Sequence, residues 1–329
     1  MQDKMEQGYN RYQLSRRGVL VTGALALASA GCASRTTVAT ASKLEKTDLA
    51  VGAVQSVTAA GLYVAAQQKF FAAEGLRVTI AATTGSGSVM AELLNGRLDI
   101  NFGNYVSFIA AQASGVARLR ILAEGNNATA REQQIVVLPH SQITSLGGLR
   151  GKVIAVNALR TVSTLIVSSL LTENNVPLAS VEFTAIPFPA MGAALEARRV
   201  DAAWMVDPFL TEAQVKYGAL AVADGDQGET AGFPISGFVA TDAWMQRYPR
   251  TAAAFVRALD RGQRLADTDR STVENVLPRY IGISPQIAAL VVTGDFPVGV
   301  SAVRIQRVAD IMRQFGYLKE PFNVSPMIG

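Results

Sequence analysis

Few side chains in this sequence could carry out nucleophilic, acid–base or metal chemistry. The chain contains one cysteine, Cys32, and one histidine, His140. A disulfide needs two thiols, and a zinc site normally takes three or four nitrogen, sulfur or oxygen ligands. A Ser-His-Asp triad would depend on His140 alone, and no Gly-x-Ser-x-Gly turn accompanies that residue. The sequence therefore predicts a protein that is not an enzyme, with no catalytic residue, no metal and no cofactor.

The residues best placed to bind a small molecule follow the predicted strands of the first half of the chain. They are Gln55 and Ser56, then Ser86 and Gly87 in a glycine- and serine-rich loop, then Asn104 and Tyr105, with Tyr63 on the first helix as a further apolar wall. Because ligands of open α/β sheets bind at the carboxyl ends of the strands, we expect these residues to surround one ligand. Taken singly, each hydroxyl or amide could equally cap a helix.

The second half of the chain contributes Arg160, Thr161 and Asp207 to the same predicted pocket. Arg160 stands at the start of a predicted helix, where its guanidinium could pair with a carboxylate through two hydrogen bonds, or simply lie on the surface. Asp207 follows a predicted strand and could meet a cationic group, cap the next helix or connect the hinge. The residues together predict a small, anionic, organic ligand.

Strands alternate with helices from residue 47 onward, which predicts an α/β fold with parallel sheets covered on both faces. Two such series, separated by strands near 133 and 235, predict two lobes with two chain crossings. Residues 46–129 and 234–329 are expected to form one lobe, and residues 130–233 the other. Two facing sheets would then place the ligand cleft between their strand ends.

The N-terminal residues 1–31 resemble an export signal, with a basic start, a short apolar stretch and small residues before Cys32. Arg16 and Arg17 are typical of twin-arginine export, although an ordinary secretory signal could also contain them. Cys32 is expected to become a lipid-modified N-terminus, the alternative being a plain cleavage site. Residues 32–45 would form a flexible linker, so the protein would be exported and anchored to the membrane without spanning it.

Composition excludes several other classes of protein. The 329 residues are 49% hydrophobic and 17% charged, with 30 Lys and Arg against 26 Asp and Glu. Such a chain can bury about two domain cores. It has no block of basic residues interleaved with aromatics, so nucleic-acid binding is not predicted. We expect a monomer.

Several ordered blocks resemble the nitrate/sulfonate/taurine-type solute-binding proteins of ABC importers, which are similar to the alkanesulfonate-binding protein and belong to the THI5-like superfamily. The blocks are residues 62–65, 70–71, 74–78, 94–100, 146–156, 194–204 and 207–209. The resemblance spans about residues 48 to 316. Relatives usually have Asp at the position of Asn104 and a Gly-Ser/Thr-rich segment near Arg160.

The resemblance implies a type II periplasmic binding protein, with two doubly wound α/β lobes joined by a two-strand hinge. It implies a solute-binding component that delivers its ligand to an ABC permease and, indirectly, to the ATPase. The alternatives are a sensory binding subunit or an enzyme on the same fold, of the pyrimidine-precursor or menaquinone-pathway type. The ligand stays open among a sulfonate, nitrate, an aromatic carboxylate and a pyrimidine.

Overall fold

Ten strands in two five-stranded sheets organise the part of the chain that the structure describes. The structure, a computed structural model, describes residues 43–83 and 86–329, so the predicted export signal, Cys32 and most of the linker lie outside the described residues. The strands are β1 (Asp48–Val54), β2 (Arg77–Thr83), β3 (Ile100–Asn104), β4 (Leu119–Asn127), β5 (Gln133–Val137), β6 (Val153–Val156), β7 (Glu182–Ala185), β8 (Ala202–Val206), β9 (Leu220–Asp224) and β10 (Pro234–Thr241).

Each sheet combines parallel strands with one strand of opposite direction. The first sheet has the order β2-β1-β3-β10-β4, and the second has the order β7-β6-β8-β5-β9. We call the parts built on them lobe 1 and lobe 2. β10 runs antiparallel to β3 and β4, and β5 runs antiparallel to β8 and β9. The chain enters β5 and β10 directly from the other sheet, without a crossover helix, so these strands can run antiparallel to their neighbours. The sheets are therefore mixed, whereas the sequence predicted parallel sheets.

The chain crosses between the lobes through two connections. It leaves lobe 1 after β4 and enters lobe 2 at β5, and it returns from β9 to β10. The two-lobed α/β architecture predicted from the sequence is therefore confirmed.

Helices cover the faces of the sheets. They are α1 (Ala60–Gln67), α2 (Phe70–Ala73), α3 (Ser86–Leu94), α4 (Tyr105–Ala113), α5 (Val162–Glu173), α6 (Phe188–Glu196), α7 (Phe209–Tyr217), α8 (Asp242–Arg247), α9 (Pro249–Thr268), α10 (Arg270–Ile281), α11 (Pro285–Ala288) and α12 (Ala302–Gln314). Within residues 43–329, no helix combines the length and the apolar character needed to cross a membrane.

The sequence pattern predicts single helices over residues 61–74 and 242–266, and the structure divides each of them. The first breaks after α1 because Lys69 adopts a left-handed φ of 59°. The second breaks before Pro249, which has no backbone N–H and opens α9 at its first position. These breaks separate α1 from α2 and α8 from α9.

The C-terminal helices complete lobe 1. Helix α9 packs on α1 so closely that a Cβ added at Gly262 would lie 2.3 Å from the carbonyl oxygen of Gly61. Helix α12 shares a buried cluster with α4 through Val308 and Ile109. Residues far apart in sequence therefore hold the strand ends of lobe 1 in place.

Candidate ligand-binding site

A cavity of about 240 Å³ lies between the strand ends of the two sheets. Lobe 1 supplies most of its polar lining, namely Gln55, Ser56, Thr58, Thr83, Asn101, Asn104, Ser107 and Ser236. Lobe 2 supplies a largely apolar wall of Val162, Pro187, Phe188, Pro189, Trp204, Val206 and Phe209, together with Asn157. Lobe 1 therefore supplies most of the hydrogen-bonding side chains, next to apolar residues of its own, whereas lobe 2 supplies mainly apolar contact.

Most polar groups of lobe 1 at the cavity are held by the protein itself. The Asn104 side-chain oxygen accepts a hydrogen bond from the Ser107 backbone N–H at 2.9 Å and so caps α4. The hydroxyls of Ser56 and Thr58 hydrogen-bond each other. Gln55 donates from Nε2 to the Tyr280 carbonyl at 3.2 Å. These bonds fix the side chains before any ligand arrives.

The wall of lobe 2 is an aromatic cluster. Phe188 stacks on Phe209 with ring centroids 5.3 Å apart and an angle of 9° between the rings. Trp204 lies 6.0 Å from Phe188, between centroids. Pro187 and Pro189 flank Phe188 at the start of α6, and their fixed φ angles restrain the backbone that carries this ring. The cluster offers rigid, flat apolar surface.

Three of the residues predicted to bind a ligand line the cavity: Gln55, Ser56 and Asn104. Ser86 and Gly87 open α3, whose Val89 and Met90 line the cavity as well. The structure thus brings the ends of β1 and β3 and the start of α3 to one place. Whether these residues bind the ligand stays a prediction.

Tyr63 and Tyr105 lie behind the cavity and not on its wall. The Tyr63 hydroxyl donates to the Val54 carbonyl at 2.9 Å, and its ring stacks on Tyr280 at 5.0 Å. Both tyrosines are 1% exposed or less, and burial raises the pKa of each phenol. The prediction of two tyrosine walls is corrected because the buried faces of α1 and α4 take these rings into the core of lobe 1.

Arg160 does not line the cavity. Its guanidinium lies 4.8 Å from the centre of the Tyr317 ring and donates to the Gly316 carbonyl at 3.4 Å. The residue has a left-handed φ of 56°, and this turn places Asn157 at the cavity and Arg160 against the C-terminal segment. Thr161 lies beside it as the N-cap of α5, buried and outside the lining.

Asp207 connects the lobes and caps a helix, two of the alternatives left open by the sequence. It is 1% exposed. Its Oδ1 accepts from the Thr211 N–H at 2.9 Å, at the start of α7, and its Oδ2 accepts from the Val292 N–H at 2.6 Å. Its carbonyl accepts from the Val57 N–H at 3.3 Å. Burial raises the pKa of this carboxyl.

The sequence interpretation missed most of the aromatic wall and the side-chain amides of Asn101 and Asn157. Asn157 comes directly after β6, and Phe188 comes soon after β7. The rule that ligand-binding residues follow strand ends, which selected Gln55 and Asn104, could therefore have selected both. Trp204 lies in the middle of β8, a position where the sequence predicts a core residue. It is 2% exposed and yet faces the cavity, a distinction that no sequence pattern makes.

Two α/β lobes that face each other across a cleft define the periplasmic binding protein fold. The chain belongs to the NMT1-like family, whose model matches residues 42–277. A search of curated proteins returns no match. The predicted resemblance to nitrate- and sulfonate-type solute-binding proteins is thereby confirmed at the level of family and fold.

Solved structures of both binding proteins and an enzyme share this fold. The alkanesulfonate-binding protein from Xanthomonas axonopodis pv. citri, bound to MOPS, is 19% identical with a TM-score of 0.73, covering 87% of this chain and 99% of its own. The nitrate-binding protein of Synechocystis PCC 6803 is 14% identical with a TM-score of 0.70, covering 84% and 83%. The desulfurization enzyme DSZB is 16% identical with a TM-score of 0.67, covering 86% and 96%. At these identities the likeness establishes the fold alone.

Proposed function

We propose that this protein is the extracytoplasmic solute-binding component of an ABC importer, which captures a small organic ligand between its lobes for a membrane permease. The observation that supports this best is the cavity itself. It lies where both sheets end, and its described lining consists of uncharged side chains. Such a site can bind and orient a molecule. The binding proteins among its structural neighbours support the same role.

The enzyme alternative has a specific neighbour, the desulfurization enzyme, but little chemistry to support it here. Acid–base and nucleophilic catalysis need titratable or nucleophilic groups at the reacting atoms. Among the described lining residues there is no His, Cys, Lys, Arg, Asp, Glu or Tyr. The lining does carry serine and threonine hydroxyls, but it holds no base beside them that could activate one as a nucleophile. His140 is exposed and lies outside the lining. These features favour a binder over a catalyst.

The proposal includes a closing motion of the two lobes. Lobe 1 would comprise residues 46–129 and 234–329, and lobe 2 residues 130–233. The two crossings, β4 to β5 and β9 to β10, are short connections suited to a hinge. A ligand that contacts both walls of the cavity would favour the closed form, which the permease would then recognise.

Isolation of the natural ligand tests binding against catalysis. We expect protein purified without denaturation to release a small molecule on unfolding, detectable by mass spectrometry. Adding that molecule back to refolded, ligand-free protein should lower the radius of gyration measured by X-ray scattering, because the lobes close on it. The molecule should keep its mass on prolonged incubation. Conversion into a product of different mass would show an enzyme instead.

Export and anchoring form the remaining part of the proposal. The only cysteine, Cys32, stands between the signal-like segment and the linker, and lipidation there would hold the binding domain beside its permease. We expect Cys32→Ala to move any processed protein from the membrane fraction to the soluble fraction. A variant that stays with the membrane after a carbonate wash would show that another feature provides the anchor.

A further inference from the structure

Three polar atoms at the cavity have no hydrogen-bond partner among the residues that the structure describes. They are the side-chain oxygens of Asn101 and Asn157 and the indole Nε1 of Trp204. Asn101 is 3% exposed and Trp204 is 2% exposed. Leaving a buried polar group unpaired costs about 1–3 kcal/mol, so such groups usually have a partner. Three of them on residues that line one cavity point to a ligand that completes their hydrogen bonds.

These atoms stand on opposite walls. Asn101 belongs to β3 of lobe 1, whereas Asn157 and Trp204 belong to lobe 2. The Trp204 nitrogen can only donate, and an asparagine amide can both donate and accept. Because the unpaired asparagine atoms are oxygens, which only accept, a ligand that satisfies all three atoms carries at least one acceptor and at least one donor, and its contacts link the two lobes.

The shape of the apolar lining favours a flat ring. Phe188, Trp204 and Phe209 form one aromatic wall, and lobe 1 adds Phe102 and Phe108. Aromatic side chains prefer offset-stacked or edge-to-face contacts with another ring, which are worth about 0.5–1.5 kcal/mol beyond the area they bury. An aliphatic solute would gain only the area term.

The electrostatics of the site do not favour an anion. No described lining residue is cationic. At two helix starts beside the cavity, an N–H group is already taken by the chain itself: the Asn104 side chain accepts from the Ser107 N–H of α4, and the Asp207 carboxylate accepts from the Thr211 N–H of α7. Pro189, in the first turn of α6, has no N–H to donate. Burying an unpaired charge in such a site is costly.

We propose that the ligand is a planar aromatic molecule that is uncharged at neutral pH and bears both a hydrogen-bond acceptor and a donor. Its acceptor receives the Trp204 indole N–H, its polar edge pairs with the amides of Asn101 and Asn157, and its ring packs on Phe188 and Phe209. This inference rests on the proposed binding function. It replaces the anionic ligand that the sequence predicted from Arg160.

A thermal-shift panel with three rings tests the charge and the ring separately. Benzamide, nicotinamide and 2-naphthamide are each compared with the carboxylate and the sulfonate of the same ring, with cyclohexanecarboxamide, taurine and MOPS as non-aromatic solutes. We expect the best amide to raise the unfolding midpoint and to bind at least about tenfold more tightly than its anionic counterparts. Anions that bind as tightly as the amides, or a panel with no amide bound, would overturn the inference. Tight binding of taurine or MOPS alone would overturn it too while supporting the binding function.

The two tryptophans provide a matched pair of variants. Trp204→Phe keeps an aromatic ring in the wall and removes the indole donor, so we expect about tenfold weaker binding of the best amide. Trp244→Phe is the control, because the Trp244 Nε1 donates to Asp99 at 2.8 Å and Trp244 lies outside the lining. We expect its affinity to be unchanged.

The same control variant gives a second measurement that does not depend on the folding of Trp204→Phe. With Trp244 replaced, Trp204 is the only tryptophan left in the chain. Saturation with the best amide should change its fluorescence, since the ligand contacts the indole directly. An unchanged spectrum at saturation, or equal affinity for Trp204→Phe, would show that Trp204 does not contact the ligand.

Discussion

Replacing Glu132 by glutamine is expected to stabilise the protein strongly at pH 8 and by less than about 1 kcal/mol at pH 5. Glu132 lies in the first crossing between the lobes and is 2% exposed. Its Oε1 accepts from the Asn126 amide at 2.9 Å, whereas Oε2 has no partner among the described residues. Burial, with the nearby carboxylates of Asp207 and Asp226, raises the pKa of this carboxyl from 4.5 to about 8.

The direction of the pH dependence follows from proton binding. Between about pH 4.5 and 8, the folded protein keeps a proton on Glu132 that the unfolded chain has released. The stability that this group contributes is therefore complete below pH 4.5 and is lost as the pH rises toward 8, by about 1.4 kcal/mol per pH unit. Glutamine has the shape of the protonated acid and does not ionise. The advantage of Glu132→Gln should grow to about 4 kcal/mol at pH 8.

Urea denaturation of both proteins at pH 5, 6, 7 and 8 measures this difference. Glu320→Gln, at an exposed carboxylate, serves as the control and should follow the wild type throughout. If wild type and Glu132→Gln showed parallel pH profiles, Glu132 would have to be charged in the folded protein. A positive partner would then have to reach its free oxygen.

Replacing Gly262 by alanine is expected to destabilise the protein by about 3 kcal/mol, at the upper end of the usual cost of overpacking. The new Cβ would lie 2.3 Å from the Gly61 carbonyl oxygen and 2.9 Å from the Ala65 nitrogen. Both are backbone atoms of α1, so no side chain can rotate away, and α1 and α9 must separate. The sign of this change in stability is informative, because a Gly→Ala substitution inside a helix normally stabilises a protein by up to about 1 kcal/mol.

A second glycine provides the control for this substitution. A Cβ at Gly147 would have the Ser145 hydroxyl as its nearest neighbour, 3.8 Å away. We therefore expect Gly147→Ala to change the free energy of unfolding by no more than about 0.5 kcal/mol. A Gly262→Ala protein as stable as wild type in urea would mean that α1 and α9 can move apart without loss of packing.

The sequence alone predicted the fold class because that prediction depends on local patterns. Alternation of apolar strands with amphipathic helices predicted two α/β lobes, and β5 and β10 lie near the predicted crossings at 133 and 235. Breaks at single residues were harder to predict. The left-handed Lys69 that ends α1 has no distinctive residue type, whereas Pro249 marks its break plainly.

The sequence also determined which positions could reach a cleft, since Gln55, Ser56 and Asn104 follow strand ends and line the cavity. Only the tertiary structure decided which way the side chains of their neighbours turn. The Arg160 guanidinium packs on the ring of Tyr317, a residue 157 positions later, while Trp204, inside a strand, lines the cavity. Position along a strand is set by local periodicity, but orientation and hydrogen-bond partners depend on residues distant in the chain. The chemistry of the cavity, with most polar side chains from lobe 1 and an aromatic cluster from lobe 2, therefore depends on the tertiary structure, which brings the two lobes together.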